Sequence, residues 1–384
     1  MKLTADWIMD AGVQRLIRAF ETRGHQIFFV GGCVRNTLLD QTVADIDLST
    51  SAVPEQTIEV AKEARFKFIP TGLEYGTITV LVNGQSYEIT SFRKDVETHG
   101  RRAVVAFSDN IMEDALRRDF TMNALYADGR GEVVDPLNGI GDLHNRYVRF
   151  IADAQKRIRE DYLRILRYFR FHAWYADQDG GIDPDAMAAI AMNLDGLSLV
   201  SKERIGIEFR KILSAEHPLR TLAAMEHSGV LMQILPGSNT RALGPLLFLE
   251  ENLGLTGDWM RRLICLGGEN QVENLRLSKA ERKRIVAFYK AVDHGAECAE
   301  TAYRFGRDAT LDMVLVTAAA SESHPAGHLM EQIKKGCAAK FPIKAVDLPS
   351  SLTGKAIGDL LNRLENDWIN SGFSKTKTTL LADV

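Results

Sequence analysis

The chain has 384 residues, of which 45% are hydrophobic and 26% charged, and its net charge is −4. That is the composition of a soluble globular protein with ample apolar material for a core, long enough for more than one domain or for one domain with a long helical extension. It excludes a protein coated in positive charge, though not one with a local basic groove for RNA, and no segment approaches the roughly 18 consecutive apolar residues of a membrane span.

The opening stretch "MKLTADWIMDAGVQRLIRAF" lacks the basic, apolar, small-residue order of a secretion signal and reads as a first amphipathic helix. "HQIFFV", "GTITVLVNG" and "QSYEITSF" read as strands, and Asn83-Gly84 makes the last two an antiparallel hairpin. From about residue 150 the pattern turns helical. "DYLRILRYFRFHAWYA", "VSKERIGIEFRKILS", "LRTLAAMEHSGVLMQIL" and "LMEQIKKGCAAKF" all space apolar residues three and four apart. Breaks fall near 177–184, 235–245 and 347–354. There is no internal repeat and no low-complexity tract. The expectation is a small α/β head followed by a long all-helical body. Cys33, Cys265, Cys298 and Cys337 lie far apart without metal-ligand spacing, which points to reduced thiols in a cytoplasmic setting. His324 and His328 are four apart, but Pro325 and Gly327 between them argue against a helical metal pair.

Chemistry concentrates in "VGGCVRNTLLDQTVADIDLST", residues 30–50. Gly31 and Gly32 let the backbone turn sharply and approach a ligand closely. A helix starting near Cys33 would aim free N–H groups at a phosphate over that turn, and Arg35 would add a fork of donors. The plainer reading is a strand-to-helix turn with a surface arginine. Asp45 and Asp47, on one strand, would project two carboxylates from one face about 6.6–6.8 Å apart. Such hard oxygen ligands suit Mg²⁺, and Glu88 supplies a third carboxylate if its strand neighbours theirs. An Asp-x-Asp pair also recurs by chance, so this one draws its weight from its surroundings.

Two further clusters follow. In "EDALRRDFTMNA", Arg118 can contact a triphosphate, whereas Arg117 and Asp119 can equally form surface ion pairs on a helix. Thr121 and Asn123 are polar in a segment otherwise suited to burial and should bond to backbone or ligand. The window 156–175 carries a local charge of +4. Asp161, Arg164, Arg167 and Arg170, each three apart, would spiral over about half of a helix, with Tyr162, Ile165, Leu166 and Phe169 facing a core. Spacing leaves two readings open: a solvated charged face, or an Asp and an Arg one turn apart that bond a nucleobase edge while the other arginines hold phosphates.

Taken together, "GGCVRNTLL", "DIDLST", "TGLEYGTITV", "YEITSFRKD", "EDALRRDFTMNAL", "DPLNGIGDL" and "REDYLRILRYFRF" resemble, in order across roughly residues 28–173, the class II nucleotidyltransferases of the polymerase-β superfamily. Within it the resemblance is to the tRNA nucleotidyltransferase (CCA-adding enzyme) and bacterial poly(A) polymerase family. The helical remainder resembles it only in pieces such as "LTGKAIGDLLNRLENDWINSGF". The resemblance implies an α+β fold: a polymerase-β-like head with a mixed or antiparallel sheet at 1–148, a helical neck for nucleobase recognition at 149–215, and an elongated helical body and tail for tRNA at 216–384. It implies Asp45 and Asp47 as metal-binding catalytic carboxylates for Mg²⁺, with Glu88 as the third. Gly31, Gly32, Arg35 and Arg118 become nucleotide contacts, Asp161 and Arg164 readers of the base of CTP or ATP, and Arg167 and Arg170 further nucleotide contacts. The implied activity is template-independent addition of CCA to the tRNA 3′ end. Poly(A) polymerization, partial CC- or A-addition and a non-catalytic nucleotide- or RNA-binding module are the alternatives. Asn36 stands where the family more often has Asp, and Tyr75 where His is common. No His-Asp dipeptide occurs, so the phosphohydrolase domain of some relatives is not expected. The charged loop at 94–110 falls where the family has a flexible loop that helps switch from C to A, which favours full CCA addition.

Overall fold

A computed structural model describes residues 1–99, 102–177, 179–349 and 352–382. It resolves the chain into two compact units, Met1–Ser238 with Gly268–Arg276, and Asn239–Gly267 with Leu277–Val384.

The first unit opens with helix α1 (Ala11–Thr22), which Asp10 caps by accepting the N–H groups of Gly12 and Val13 at 2.9 and 3.0 Å. Its Val13, Leu16, Ile17 and Phe20 are buried, the stripe expected of an amphipathic helix. Strands β1 (Ile27–Val30), β2 (Asp47–Thr50), β3 (Lys67–Gly72), β4 (Thr77–Val82) and β5 (Gln85–Ser91) follow. With the short β8 (Tyr126–Ala127) and β9 (Val133–Val134) they form one seven-stranded sheet, ordered β3-β4-β5-β2-β1-β8-β9. β2 and β5 pair in parallel and the other neighbours antiparallel, so the sheet is mixed. The β4–β5 hairpin turns through Asn83 and Gly84, both with positive φ (52° and 86°), as an Asn-Gly turn requires.

The remaining segments of this unit differ from the sequence expectation in three places. First, the charged stretch at 94–110 is largely a two-stranded hairpin, β6 (Arg93–His99) with β7 (Arg102–Phe107), whose tip, Gly100 and Arg101, lies outside the described residues. Second, of helices α2 (Gly32–Leu38), α3 (Pro54–Glu63) and α4 (Ile111–Leu116), the last stops early, so Arg117, Arg118 and Asp119 follow the helix instead of riding on it. Third, after α5 (Gly139–His144), the window 156–175 is two helices, α6 (Ala154–Glu160) and α7 (Arg164–Tyr175). Asp161 lies in the link with extended backbone (φ −154°, ψ 106°). Its side chain accepts the Leu163 N–H at 3.2 Å, the local bond by which Asp competes with helix continuation. Ile165, Leu166 and Phe169 of α7 are buried as expected. Helices α8 (Pro184–Met192) and α9 (Lys202–Leu213) follow.

"DPLNGIGDL" is a strut. Asp135 accepts the N–H groups of Gly139 and Ile140 at 2.8 and 2.9 Å, and Asp142 accepts the Thr121 hydroxyl at 2.6 Å. Gly139 packs so closely that a Cβ there would lie 2.3 Å from the Thr121 carbonyl oxygen. The segment "RDFTMNA" is thereby pinned from behind.

The second unit is helical among its described residues. Its interior holds a charge network in which Arg261 bonds Glu250 (2.9 Å) and Asp312 (3.1 Å), and Arg284 bonds Asp312 (2.7 Å) and Asp258 (2.8 Å). Buried ions are tolerated only when paired in this way. A separate apolar cluster of Ile343, Leu348, Leu364, Trp368, Ile369 and Leu380 closes the C-terminal end.

Candidate active site

Two pairing registers build the site. β1 runs antiparallel to β2 with Phe29 opposite Leu48, which brings the end of β1 beside the start of β2. β5 runs parallel to β2 with Asp47 opposite Glu88. The chain leaves β1 through Gly31, whose φ of 71° and ψ of −116° belong to a region that side-chain-bearing residues avoid, and enters α2 at Gly32. The glycine turn, Asp47 and Glu88 therefore meet at one edge of three adjacent strands.

Asp45 differs from expectation. It precedes β2 and is not part of the ladder. The alternation survives nevertheless: Asp45 and Asp47 are exposed, while Ile46 and Leu48 are buried (6% and 0%). Both aspartates line a cleft of about 560 Å³, together with Gly32, Arg35, Asn123 and Arg170. The protein packed around Asp47 raises its carboxyl pKa; Glu88 and Asp45 raise it further, and Arg118 opposes them. Carboxylates that repel one another at the mouth of a cleft are a donor set that a hard divalent cation would relieve. Among the described residues no three His, Cys, Asp or Glu side chains form a ready-made metal cage.

Arg35 is buried (6% exposed) and well held. It donates to Asn123 Oδ1 at 2.8 Å, to Asn36 Oδ1 at 3.2 and 3.0 Å, and to the Tyr175 hydroxyl at 2.8 Å. Its guanidinium also lies over the Tyr175 ring, 4.1 Å from the centroid. Asn36 thus anchors Arg35 with a neutral carbonyl. Burial lowers the pKa of Arg35.

Arg118 is oriented by a residue that spacing did not single out, Asp114, which is fully buried. Asp114 accepts from Arg118 Nη2 (3.0 Å), Arg117 Nε (2.9 Å), the Tyr126 hydroxyl (2.8 Å) and Ser49 Oγ (3.3 Å). Arg117 therefore belongs to a buried cluster and not to a surface ion pair. Burial opposes the charge on Asp114, but Arg118 and Arg117 outweigh it and bring the carboxyl down to about 2. The folded-state pKa is below the ordinary carboxylate value of about 3.9 in the unfolded chain. Asp114 thus stabilises the fold fully above that value, and its contribution disappears as pH falls toward 2. Asp114→Asn is expected to flatten the acid limb of stability measured by denaturant unfolding between pH 5 and 2, by about 2 kcal/mol. An acid limb identical to wild type would remove this assignment.

Asp119 is likewise buried (5%) instead of exposed. It accepts Arg167 Nε at 2.7 Å and Asn123 Nδ2 at 3.0 Å, and although burial disfavours its charge, Arg167 holds the carboxyl well below the usual range. Asn123 thereby bridges the side chains of Arg35 and Asp119, where a bond to backbone or ligand was expected.

Along α7 each arginine has its own carboxylate. Arg164 bonds Glu160 (2.5 Å) and the Arg117 carbonyl (3.2 Å), and Arg170 bonds Glu208 (3.3 Å). Asp161 does not pair with Arg164. Its two oxygens accept the fork of Arg204 at 3.2 and 2.7 Å. Spacing along α7 does not point to Arg204 and Glu208, although their own four-residue spacing in "SKERIGIEFRK" places them on one face of α9. Gly31, Glu88, Arg118, Asp161, Arg164 and Arg167 are not on the cleft lining; Arg167 is tied to it through Asp119 and Asn123, and Arg118 acts on Asp47 of the lining by its charge.

No helix among the described residues is long and apolar enough to cross a membrane. The Poly A polymerase head domain family matches residues 27–149, and the family described as "Probable RNA and SrmB- binding site of polymerase A" matches 181–240. The chain is 31% identical to the mitochondrial CCA tRNA nucleotidyltransferase 1 of Mus musculus, over 98% of its own length and 90% of that protein's. It is 33% identical to the CCA-adding enzyme of Limosilactobacillus fermentum, over 78% and 76%. Its fold superposes on the crystal structure of the Bacillus stearothermophilus CCA-adding enzyme in complex with CTP with a TM-score of 0.71 at 24% identity, covering 94% of this chain and 93% of that one. An apo form of a CCA-adding enzyme gives 0.75 at 18% identity, covering 99% and 96%. A glycine turn beside two carboxylates on a mixed sheet and a third just before it, followed by an arginine-bearing helix, is thus joined to near full-length similarity, and the chain belongs to the class II CCA tRNA nucleotidyltransferase family.

Proposed function

We propose that this chain adds or repairs the 3′-terminal CCA of tRNA, using CTP and ATP and releasing pyrophosphate. The observation that carries the reading is the convergence of Asp45 and Asp47 with Gly32 and Arg35 in one cleft. We take residues 1–148 as the catalytic head, 149–215 as the neck and 216–384 as the body and tail that grip tRNA, largely through its backbone and shape, with binding that weakens as salt rises.

Asp45 and Asp47 would hold Mg²⁺, with Glu88 beside them. When bound, the metal lowers the pKa of the attacking ribose 3′-hydroxyl and neutralises charge on the leaving pyrophosphate. Positioning and electrostatics dominate such transfers, so few protein acids or bases are needed. Gly31 and Gly32 keep Cβ atoms away from the triphosphate; of the proposed arginine contacts, Arg35 and Arg170 line its cleft, whereas Arg118 and Arg167 lie off the lining, paired with Asp114 and Asp119. Asp161 accepts from the exocyclic amine that cytosine and adenine share, and Arg164 donates to the ring edge. Four free cysteines accord with a reducing compartment, the cytoplasm.

The test is the product made from a tRNA lacking its 3′ end. CTP alone is expected to yield two added residues, and CTP with ATP three. An unlimited A ladder without C would replace this reading with poly(A) polymerization, and stopping after CC with both nucleotides present would replace it with partial addition.

A further inference from the structure

Trp174 has no role in the reading above, yet it stands on the wall of the catalytic cleft. It is the fourth residue after Arg170 on α7 and is 46% exposed. Its indole Nε1–H donates to the Lys211 carbonyl of α9 at 2.8 Å. The polar edge of the ring is thus satisfied by protein, and what remains for the cleft is an anchored aromatic surface. Such a surface beside cations is the means by which proteins bind single-stranded RNA without reading its sequence. Here Arg170 and Lys211, also on the cleft lining, supply the cations.

We propose that Trp174 is a stacking platform for the 3′-terminal base of the acceptor RNA, an inference that rests on the function proposed above. Two bases are present during the reaction, and the geometry favours the acceptor's. Arg164 and Trp174 are ten residues apart on α7, a rise of about 15 Å. The incoming base, read at the Arg164 end, cannot also cover Trp174. The acceptor's last ribose, in contrast, must bring its 3′-hydroxyl to Asp45 and Asp47, which share the cleft with Trp174. Stacking tolerates any base, which suits an acceptor whose last nucleotide changes with every addition.

Steady-state incorporation of CTP into tRNA lacking its 3′ end tests this, with RNA and CTP varied separately, for wild type, Trp174→Ala and Trp174→Phe. Trp174→Ala is expected to raise the KM for RNA roughly tenfold to a hundredfold with the KM for CTP unchanged, and Trp174→Phe to recover most of the loss. An acceptor whose terminal nucleotide is abasic should raise the wild-type KM similarly and abolish the difference between wild type and Trp174→Ala. An unchanged RNA KM in Trp174→Ala, a rise confined to CTP, or a penalty that persists on the abasic acceptor would each overturn the platform. The abasic acceptor on wild-type protein decides the matter even if Trp174→Ala fails to fold, since no rise in KM there also overturns it. A wild-type chain that incorporates no nucleotide would overturn the proposed function, and this inference with it.

Discussion

Asp45→Ala is expected to cut nucleotide incorporation by at least about a thousandfold, because metal-borne charge stabilisation is worth several kcal/mol and about 1.4 kcal/mol is a factor of ten. RNA binding should survive, since Asp45 is an exposed residue outside the β2 ladder. Primer extension measures the first quantity and filter binding the second. Asp47→Asn sharpens the experiment. Asp47 faces Glu88 across the parallel register, and burial first, then the negative charges of Glu88 and Asp45, disfavour its ionised form. Removing its charge relieves that repulsion, so the variant should fold at least as stably as wild type while losing activity. A catalytic residue retained against stability is the expected signature of a metal ligand. Wild-type incorporation rates in Asp45→Ala would end the metal assignment. Lost activity accompanied by lost stability in Asp47→Asn would make its role structural.

The second large effect concerns choice of nucleotide. Asp161→Ala is expected to lower the preference in kcat/KM for CTP and ATP over UTP and GTP by roughly a hundredfold, because a site that pairs a substrate donor discriminates strongly against substrates lacking it. Binding of RNA should change little. The substitution also frees the fork of Arg204, but both side chains of that pair are about a quarter exposed. The cost to stability should therefore stay within about 1 kcal/mol, and the kinetic readout remains clean. Competition among the four nucleotides at a fixed tRNA concentration measures the ratio. Undiminished discrimination would remove Asp161 from base recognition.

Much of this site is written in local chemistry. Gly31 at positive φ, the Asn83-Gly84 hairpin and the exposed–buried alternation through Asp45, Ile46, Asp47 and Leu48 follow from backbone sterics and hydrophobic pattern. Those rules act over a few residues and need no knowledge of the rest of the chain. The proximity of Glu88 to Asp47 could be posed from the sequence only as a condition, because it depends on two strands 41 residues apart pairing in one register.

The partners of the charged side chains were the least legible part. Asp119 and Arg117 have the look of surface ions in "RRDF", yet both are enclosed in ion-pair clusters. Asp161 and Arg164, one turn apart in sequence, pair with Arg204 and Glu160 instead of each other, because the helix breaks between them.

Linear order thus established the first helix, the β4–β5 hairpin, the glycine turn and the residue kinds able to hold a metal and phosphates, since these depend on short-range sterics and on side-chain chemistry. The assembled fold chose which strands lie side by side, which carboxylate meets which arginine, and which of the charges are shielded from water. Those outcomes depend on contacts between distant segments, where burial and Coulomb attraction select one pairing among many that spacing permits equally.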